Sequence, residues 1–301
     1  MHDAVDQSGP RSYLYLPSEC GYLFVTRESV RVLMPHHATI LLTDPQCPAR
    51  IIRGDTPYSH CAMAVRSGAT QLISTQAPVI KVGINPLHPH FRNFSNCSAA
   101  DVTLLDRVIF APLEPRLTAL INGEMSIEAV RELMEEVVTC TIRTFSSHMP
   151  PNSRQQKLAE VMREHPDSTL HDLAAALNLS YHRMSHAFKE LTGLSLRNFK
   201  AWQKLHNLVF LLNRRCTSMT DVAHAAGFTD SAHLLRQFQQ NYGASPKYYF
   251  NNKAIKVVVC ERLKQMVSSQ REKYMQVPQS INRRTASPRD ASQRKAPPLP
   301  L

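Results

Sequence analysis

The chain has 301 residues, with 35 Lys and Arg against 24 Asp and Glu, a formal net charge of +11, and 43% hydrophobic residues. That is enough for two packed domains and a tail. No run approaches the roughly twenty consecutive apolar residues of a membrane-spanning helix, and the polar, acidic start MHDAVDQSGP is unlike a secretory signal, so a cytoplasmic protein with no membrane partner is expected.

The charge is uneven. Residues 1–150 hold 12 basic and 14 acidic side chains, residues 151–250 hold 12 and 7, and residues 251–301 hold 11 and 3. A basic C-terminal half is what phosphate neutralisation and counterion release require, so nucleic acid should be met there and not by the first half. The seven cysteines, Cys20, Cys47, Cys61, Cys97, Cys140, Cys216 and Cys260, are odd in number and form no CxxC pair. They are read as free thiols in a reducing compartment.

From Tyr13 to about Phe94 the sequence is built for strands. YLYL, YLFVT, SVRVLM, ATILLTD, CAMAV, TQLIST and VIKVGI are short β-branched or aromatic runs broken by Pro, Gly and Asp, which suggests an antiparallel sandwich or barrel. From Ala99 to Ser147 the pattern turns helical. One helix is expected to break before Pro112. A second, capped by Ser126, carries Ile127, Val130, Leu133, Met134, Val137, Val138 and Ile142 as a wide apolar stripe that packs either on the strands or on a second copy. HMPPNSRQ, 148–155, reads as a linker, and Gln156 to His165 as a helix with Leu158, Val161 and Met162 inward.

Residues 169–193 read as two short helices around a tight turn. Thr169 or Ser168 caps the first, with Asp172 at its positive end and Leu170, Leu173, Ala174 and Leu177 inward. Ser180 caps the second, Met184, Phe188 and Leu191 form its buried stripe, and Gly193 stops it. Tyr181, His182, Ser185 and His186 fall on the opposite face, with Lys189 placed for phosphate. Residues 219–250 repeat the plan. Thr220 is read as the cap, Val222, Ala223 and Ala226 pack, Gly227 turns the chain, and a helix from Asp230 to Tyr242 buries Leu234 and Phe238 while Ser231, Ala232, Leu235 and Arg236 face outward. Between the two units, Leu196 to Arg214 carries no Pro or Gly and reads as one connecting helix with Phe199, Trp202, Leu205, Leu208, Val209 and Leu212 as its stripe. Two helix-turn-helix units on one such helix could present recognition helices to successive major grooves.

The runs SxxxMxxxFKELTGLSLRNF at 180–199 and DVAHAAGFTDSAHLLRQFQQNYGASPKYY at 221–249 resemble the DNA-binding domain of AraC/XylS-type transcriptional regulators. The resemblance spans about residues 155–250. It is carried most specifically by Gly227-Phe228-x-Asp230, Arg236-x-Phe238 and the closing Tyr242-Gly243-x-Ser245-Pro246. His186, Gln239 and the Lys204-Leu205 pair depart from the family pattern at positions that bear on phosphate anchoring.

The resemblance implies an α+β protein: a cupin-like β-barrel with flanking helices, then an all-α double helix-turn-helix domain. It also implies that the stripe from Ile127 to Ile142 serves homodimerisation. Cupin enzymes bind metal through histidines and a carboxylate, and His36, His37, His60, His88 and His90 were weighed for that role. The adjacent pair on a strand points to opposite faces, and no Glu follows at enzyme-like spacing, so a metal-free effector pocket is the expectation, with no cofactor and no enzymatic activity. An acyl-transfer triad, a phosphate-cradling Gly-rich loop and zinc-finger spacing are likewise missing from the sequence.

After Phe250 the family pattern ends. NKAIKVVVCERLKQMVSSQREKYM is expected to be a basic amphipathic helix, and the Pro-, Ser-, Arg- and Lys-rich end beyond Val277 to be disordered. The expected division is 1–98 sensing domain, 99–148 helical segment, 149–154 linker, 155–250 DNA-binding domain and 251–301 basic extension.

The reading is a sequence-specific regulator whose partners are double-stranded DNA, a small-molecule effector in the N-terminal domain, a second copy of the chain and, where it acts as an activator, RNA polymerase. Tyr181, His182, Ser185, His186, Ser231, Ala232, Leu235 and Arg236 are the base-reading candidates, and Lys189, Lys200, Lys204 and Lys247 the backbone candidates. Two other classes fit parts of the sequence: a cupin-type metalloenzyme with an accessory C-terminal half, and a non-specific nucleic-acid binder using its basic tail.

Overall fold

The structure, a computed structural model, describes residues 12–27, 30–33, 37–53, 56–67, 70–74, 77–96, 101–146, 153–165, 168–212, 218–242, 245–250 and 255–265. The first nine strands are β1 (Ser12–Ser18), β2 (Gly21–Thr26), β3 (Val30–Leu33), β4 (Ala38–Leu42), β5 (Ala49–Arg53), β6 (Thr56–His60), β7 (Ala62–Val65), β8 (Thr70–Ser74) and β9 (Val79–Ile84). All seven runs read as strands are strands. The β5–β6 hairpin went unread because Pro57 and the exposed Thr56 and Ser59 hide its alternation.

Then come α1 (Phe91–Asn96), β10 (Val102–Leu104), a 3-10 helix at Arg107–Leu113, α2 (Glu114–Asn122) and α3 (Ile127–Ile142). The single helix expected to break before Pro112 is thus corrected. Val102–Leu104 pairs with β7, and Pro112 lies inside the short 3-10 helix, capped by the side chain of Asp106. The C-terminal helices are α4 (Ser153–Glu164), α5 (Leu170–Ala176), α6 (Tyr181–Thr192), α7 (Leu196–Leu212), α8 (Met219–Ala225), α9 (Ser231–Tyr242) and α10 (Pro246–Phe250).

A last strand, β11 (Ile255–Val259), overturns the helix expected after Phe250. It pairs in parallel with β1, from Ser12 opposite Ile255 to Leu16 opposite Val259. The β-branched run IKVVV favours a strand once β1 offers it a partner edge, a long-range contact that local periodicity does not display. A helical turn at 261–265 follows, with Leu263 buried and Arg262 3.7 Å from Glu19.

The strands form a seven-stranded sheet, β10-β7-β4-β9-β2-β1-β11, and a four-stranded sheet, β3-β8-β5-β6. Among the described residues no strand pairing joins the two, so the expected barrel is an open pair of sheets. Where the chain crosses from β4 to β5, Pro45 and Pro48 remove ladder donors, and the segment turns instead of pairing.

Alternation along the long sheet separates two cores. Tyr15, Leu23, Ile40, Ile80, Val82 and Ile84 pack against Leu117, Leu120, Val130, Leu133, Met134, Val137 and Val138 of α2 and α3. The wide stripe of α3 is therefore consumed within the chain. The opposite face, with Leu14, Leu16, Tyr22, Phe24, Leu41, Met63 and Val65, meets Ile51 and Ile73 of the short sheet. This second core continues into Leu205, Leu208, Val222, Phe228, Leu234 and Phe238 of the C-terminal helices. A third core, Leu158, Met162, Leu173, Met184, Phe188, Leu191, Phe199 and Trp202, holds α4 to α7 together.

Candidate nucleic-acid interface

The first helix-turn-helix unit is built by its caps. Thr169 and Asp172 form a reciprocal capping box, with the Thr169 N–H donating to Asp172 Oδ2 at 2.7 Å and the Asp172 N–H donating to Thr169 Oγ1 at 3.3 Å. These hydrogen bonds from Thr169 hold the Asp172 carboxyl below its ordinary value. Asn178 takes positive φ at the turn, and Ser180 caps α6 by accepting from the Arg183 N–H. With Met184, Phe188 and Leu191 buried, Tyr181, His182, Ser185, His186 and Lys189 are left exposed along α6. The Tyr181 ring lies 4.7 Å from that of His171, and the His182 and His186 rings are 4.7 Å apart. All five residues chosen from sequence on this helix thus share its solvent side.

In the second unit the cap is Ser218, which accepts from the Asp221 N–H, rather than Thr220. The helix begins two residues earlier than expected because Ser218 is extended and Met219 already helical. Gly227 turns the chain at φ 77°, a left-handed conformation that a side chain would strain. Asp230 accepts from the His233 N–H at 2.7 Å, which lowers its carboxyl pKa and starts α9. Leu234 and Phe238 are buried, Ala232, Leu235 and Arg236 exposed, and Ser231 half-buried at the helix start. An exposed leucine here is of the kind that can make apolar contact with a thymine methyl.

α7 joins the units without interruption. Its 17 residues span about 25 Å at the usual helical rise. The backbone candidates divide. Lys189 and Lys247 are exposed, Lys200 is half-buried, and Lys204 donates from Nζ to the Gly227 carbonyl at 3.3 Å, bracing the second turn. Arg183 and Arg197 on the first unit and Gln240 on α9 are also exposed and were not picked out from sequence, and Gln239, a departure from the family pattern, is exposed beside them. Helical spacing alone carried that signal, since each lies off the buried stripe of its helix.

Beside this surface the N-terminal unit touches the first helix-turn-helix unit. Arg92 of α1 donates to Glu190 of α6 at 2.8 Å, and Leu87 packs into the core of α4 to α7. A cavity of about 140 Å³ lies in this seam, lined by Cys20, Leu87, His88, Ala159, Met162 and Phe199 among others. Of the histidines weighed as ligands, His88 sets Nε2 3.3 Å from Glu135, whose carboxyl it holds down, and His90 lies 5.8 Å from it. His37 packs on Tyr22 and Trp202, while His36 lies outside the described residues. The described residues contain no group of three or more His, Cys, Asp or Glu that could hold a metal ion.

The helix-turn-helix domain family matches residues 173–252, from α5 to the last residues before β11. Residues 173–252 are a helix-turn-helix domain of the AraC/XylS type. It is 29% identical over 111 residues to the HTH-type transcriptional regulator YijO of Escherichia coli, covering 35% of this chain and 39% of that protein. It is 27% identical over 107 residues to the arabinose operon regulatory protein of Salmonella typhimurium, covering 35% and 38%. The chain thus spans under two-fifths of the length of these curated relatives. Among solved structures, ToxT of Vibrio cholerae aligns over 80% of this chain and 97% of its own, at a TM-score of 0.49 and 11% identity. Among the described residues no helix is long and apolar enough to cross a membrane.

Proposed function

We propose that the chain is a sequence-specific, DNA-binding transcriptional regulator in which α6 and α9 read adjacent major grooves of double-stranded DNA. The observation that carries this is the pair of capped recognition helices, each with a buried apolar stripe and an exposed polar face, fixed to the ends of one continuous α7. Readers one DNA turn apart must be held about 34 Å from centre to centre, which a rigid helix of about 25 Å plus the offset of each unit can supply. Tyr181, His182, Ser185 and His186 read one groove, and Ser231, Ala232, Leu235 and Arg236 the next. Lys189, Lys200, Lys204 and Lys247 hold phosphates, and Lys204 also braces Gly227.

The two sheets and their helices form the controlling domain, of cupin-like descent, which receives a small-molecule effector. The Arg92–Glu190 pair and the shared core with α7 to α9 carry its state to the readers. The chain divides functionally into a sensing domain to about residue 98, a helical segment to 148, a linker, a reader over 155–250 and a basic extension. It works in the cytoplasm, without enzymatic activity. It pairs with a second copy through a surface other than the buried stripe of α3, and as an activator it contacts RNA polymerase. The test is a binding comparison on a selected site and its scramble. Preference for the site that shrinks in Arg236→Ala and is kept in Lys189→Ala supports the reading, and equal affinity of the parent for both duplexes refutes it.

A further inference from the structure

His182 and His186 lie about one helical turn apart on the exposed side of α6, with ring centroids 4.7 Å apart and ring planes tilted by 45°. Side chains at i and i+4 stand over one another on a helix, so this spacing brings both imidazoles to the same patch of solvent. Among the described residues neither ring makes a hydrogen bond. Other histidines are committed. His88 is buried, with Nε2 3.3 Å from Glu135 and Nδ1 accepting from the His90 N–H, and His60 sets Nδ1 3.2 Å from the Ala62 carbonyl.

The backbone beneath the pair is fixed in advance. Ser180 caps α6, Gly193 closes it at φ 72°, and Met184, Phe188 and Leu191 anchor its inner stripe, so bringing the rings together costs only side-chain rotation in solvent. An ion held at about 2.0 to 2.1 Å by one nitrogen of each ring needs those nitrogens about 3 Å apart. Two exposed rings at this centroid separation reach that by turning about their own side-chain bonds.

The donor set selects the ion. Neutral imidazole suits zinc, nickel and copper(II), whereas magnesium and calcium take oxygen ligands. Glu190, one turn further along α6, is held by Arg92 at 2.8 Å, and the exposed neighbours Arg183 and Lys189 cannot coordinate. The protein therefore supplies two nitrogens and water completes the shell, which makes an exchangeable site and not a closed structural one.

We propose that His182 and His186 form a two-imidazole site for a divalent ion of the zinc, nickel and copper class, and that the ion withdraws α6 from base reading. The ring nitrogens that meet base edges are the ones that bind the ion, so the two uses exclude each other. The ion's positive charge keeps or strengthens attraction to phosphate, so the loss falls on preference between sequences and not on affinity for duplex in general. His186 is one of the positions where the chain departs from the AraC/XylS pattern, so the pair is a property of this chain. The ion site stands on the geometry of α6, and its effect on DNA rests on the reading proposed above.

The test uses the full chain, with Zn²⁺ and Ni²⁺ as probes and Mg²⁺ as control. Calorimetric titration without DNA compares the parent with His182→Gln and His186→Gln, whose folding circular dichroism checks. The parent should bind one ion more than either variant and gain more in unfolding temperature, with no response to Mg²⁺. Loss of either ring should weaken that ion by at least about tenfold, because the second ring acts at the effective concentration of a tethered neighbour. Equal titrations in the parent and both variants, or binding of Mg²⁺ at the same strength, overturn the site. With DNA, Zn²⁺ should reduce the parent's preference for a selected site over its scramble, and a chelator should restore it. Ion binding that leaves this preference unchanged overturns the control of reading. A parent without preference in metal-free buffer refutes the DNA reading and the ion's effect on it, while calorimetry alone decides the ion site.

Discussion

Arg92 and Glu190 meet at 2.8 Å across the seam between α1 of the N-terminal unit and α6, the second helix of the first helix-turn-helix unit. The guanidinium is mostly buried and the carboxylate largely exposed, at 12% and 67% side-chain exposure. Such a pair contributes little to stability, about 0–1 kcal/mol, but it ties α1 directly to α6. Glu190→Gln is expected to leave thermal stability within about 1 kcal/mol of the parent while shrinking the effector-dependent change in DNA affinity. An unchanged response in binding assays would remove this pair from the route of control.

Phe188 is fully buried and meets Phe199 edge-on with ring centroids 5.3 Å apart. Phe188→Ala should cost about 3 to 5 kcal/mol through the cavity left behind. It should melt the first helix-turn-helix unit, which chemical denaturation followed by circular dichroism will register.

Base-reading and phosphate-holding candidates should separate in how affinity is lost. Replacing Arg236 or His182 with Ala is expected to cost roughly 1 to 3 kcal/mol on a specific site and relax preference at one position. Lys189→Ala should weaken all duplexes alike and flatten the salt dependence by about one unit of slope. Uniform losses in all three variants would show that these side chains do not read bases.

The strand β11 makes the C-terminal boundary testable. A chain ending after residue 265 retains Ile255, Val259 and Leu263 in the core, whereas one ending after residue 254 loses all three and bares the edge of β1. At about 1.5 to 3 kcal/mol for each fully buried aliphatic side chain, the shorter chain should be several kcal/mol less stable and prone to edge-to-edge association. Denaturation midpoints and light scattering check both effects, and equal stability of the two chains would mean that the β1–β11 pairing contributes nothing.

Lys81 sets a pH dependence with a defined sign. Its folded-state pKa of about 7 lies below the ordinary 10.5, so between these values the unfolded chain binds a proton that the folded chain does not. Stability therefore rises with pH across that window, by up to about 1.4 kcal/mol per unit. Below about 7 the full penalty is present. Comparing Lys81→Met with the parent isolates the effect: the difference between their unfolding free energies should narrow from pH 7 to pH 9, and a constant difference would contradict it.

The two helix-turn-helix units were legible in the sequence because their information is local. Thr169 with Asp172, Ser180, Gly193 and Gly227 are punctuation, and Met184, Phe188, Leu234 and Phe238 repeat at helical spacing. Even there the second cap was misplaced, since Thr220 and Ser218 are both capping residues and only backbone geometry chooses between them. The seven hydrophobic strands were equally plain. What escaped were pairings fixed by distant partners: β10 on β7, and β11 on β1 across more than two hundred residues. The fate of the α3 stripe also depended on a surface elsewhere in the chain, and the sheet provides it. Lys81 gave no local signal, because a lysine in VIKVGI reads as an outward position on a half-exposed strand until a second sheet covers it.

The central claim is that two helices on one connector read two grooves. The most direct measurement is selection of bound sequences from random duplex DNA at physiological salt, using the full chain and a chain ending after residue 265, which keeps β11. Two short motifs about ten base pairs apart, enriched by both chains, are the predicted result. Enrichment of nothing, with binding lost when the basic end is removed, would show that the end supplies the affinity and that α6 and α9 do not read bases.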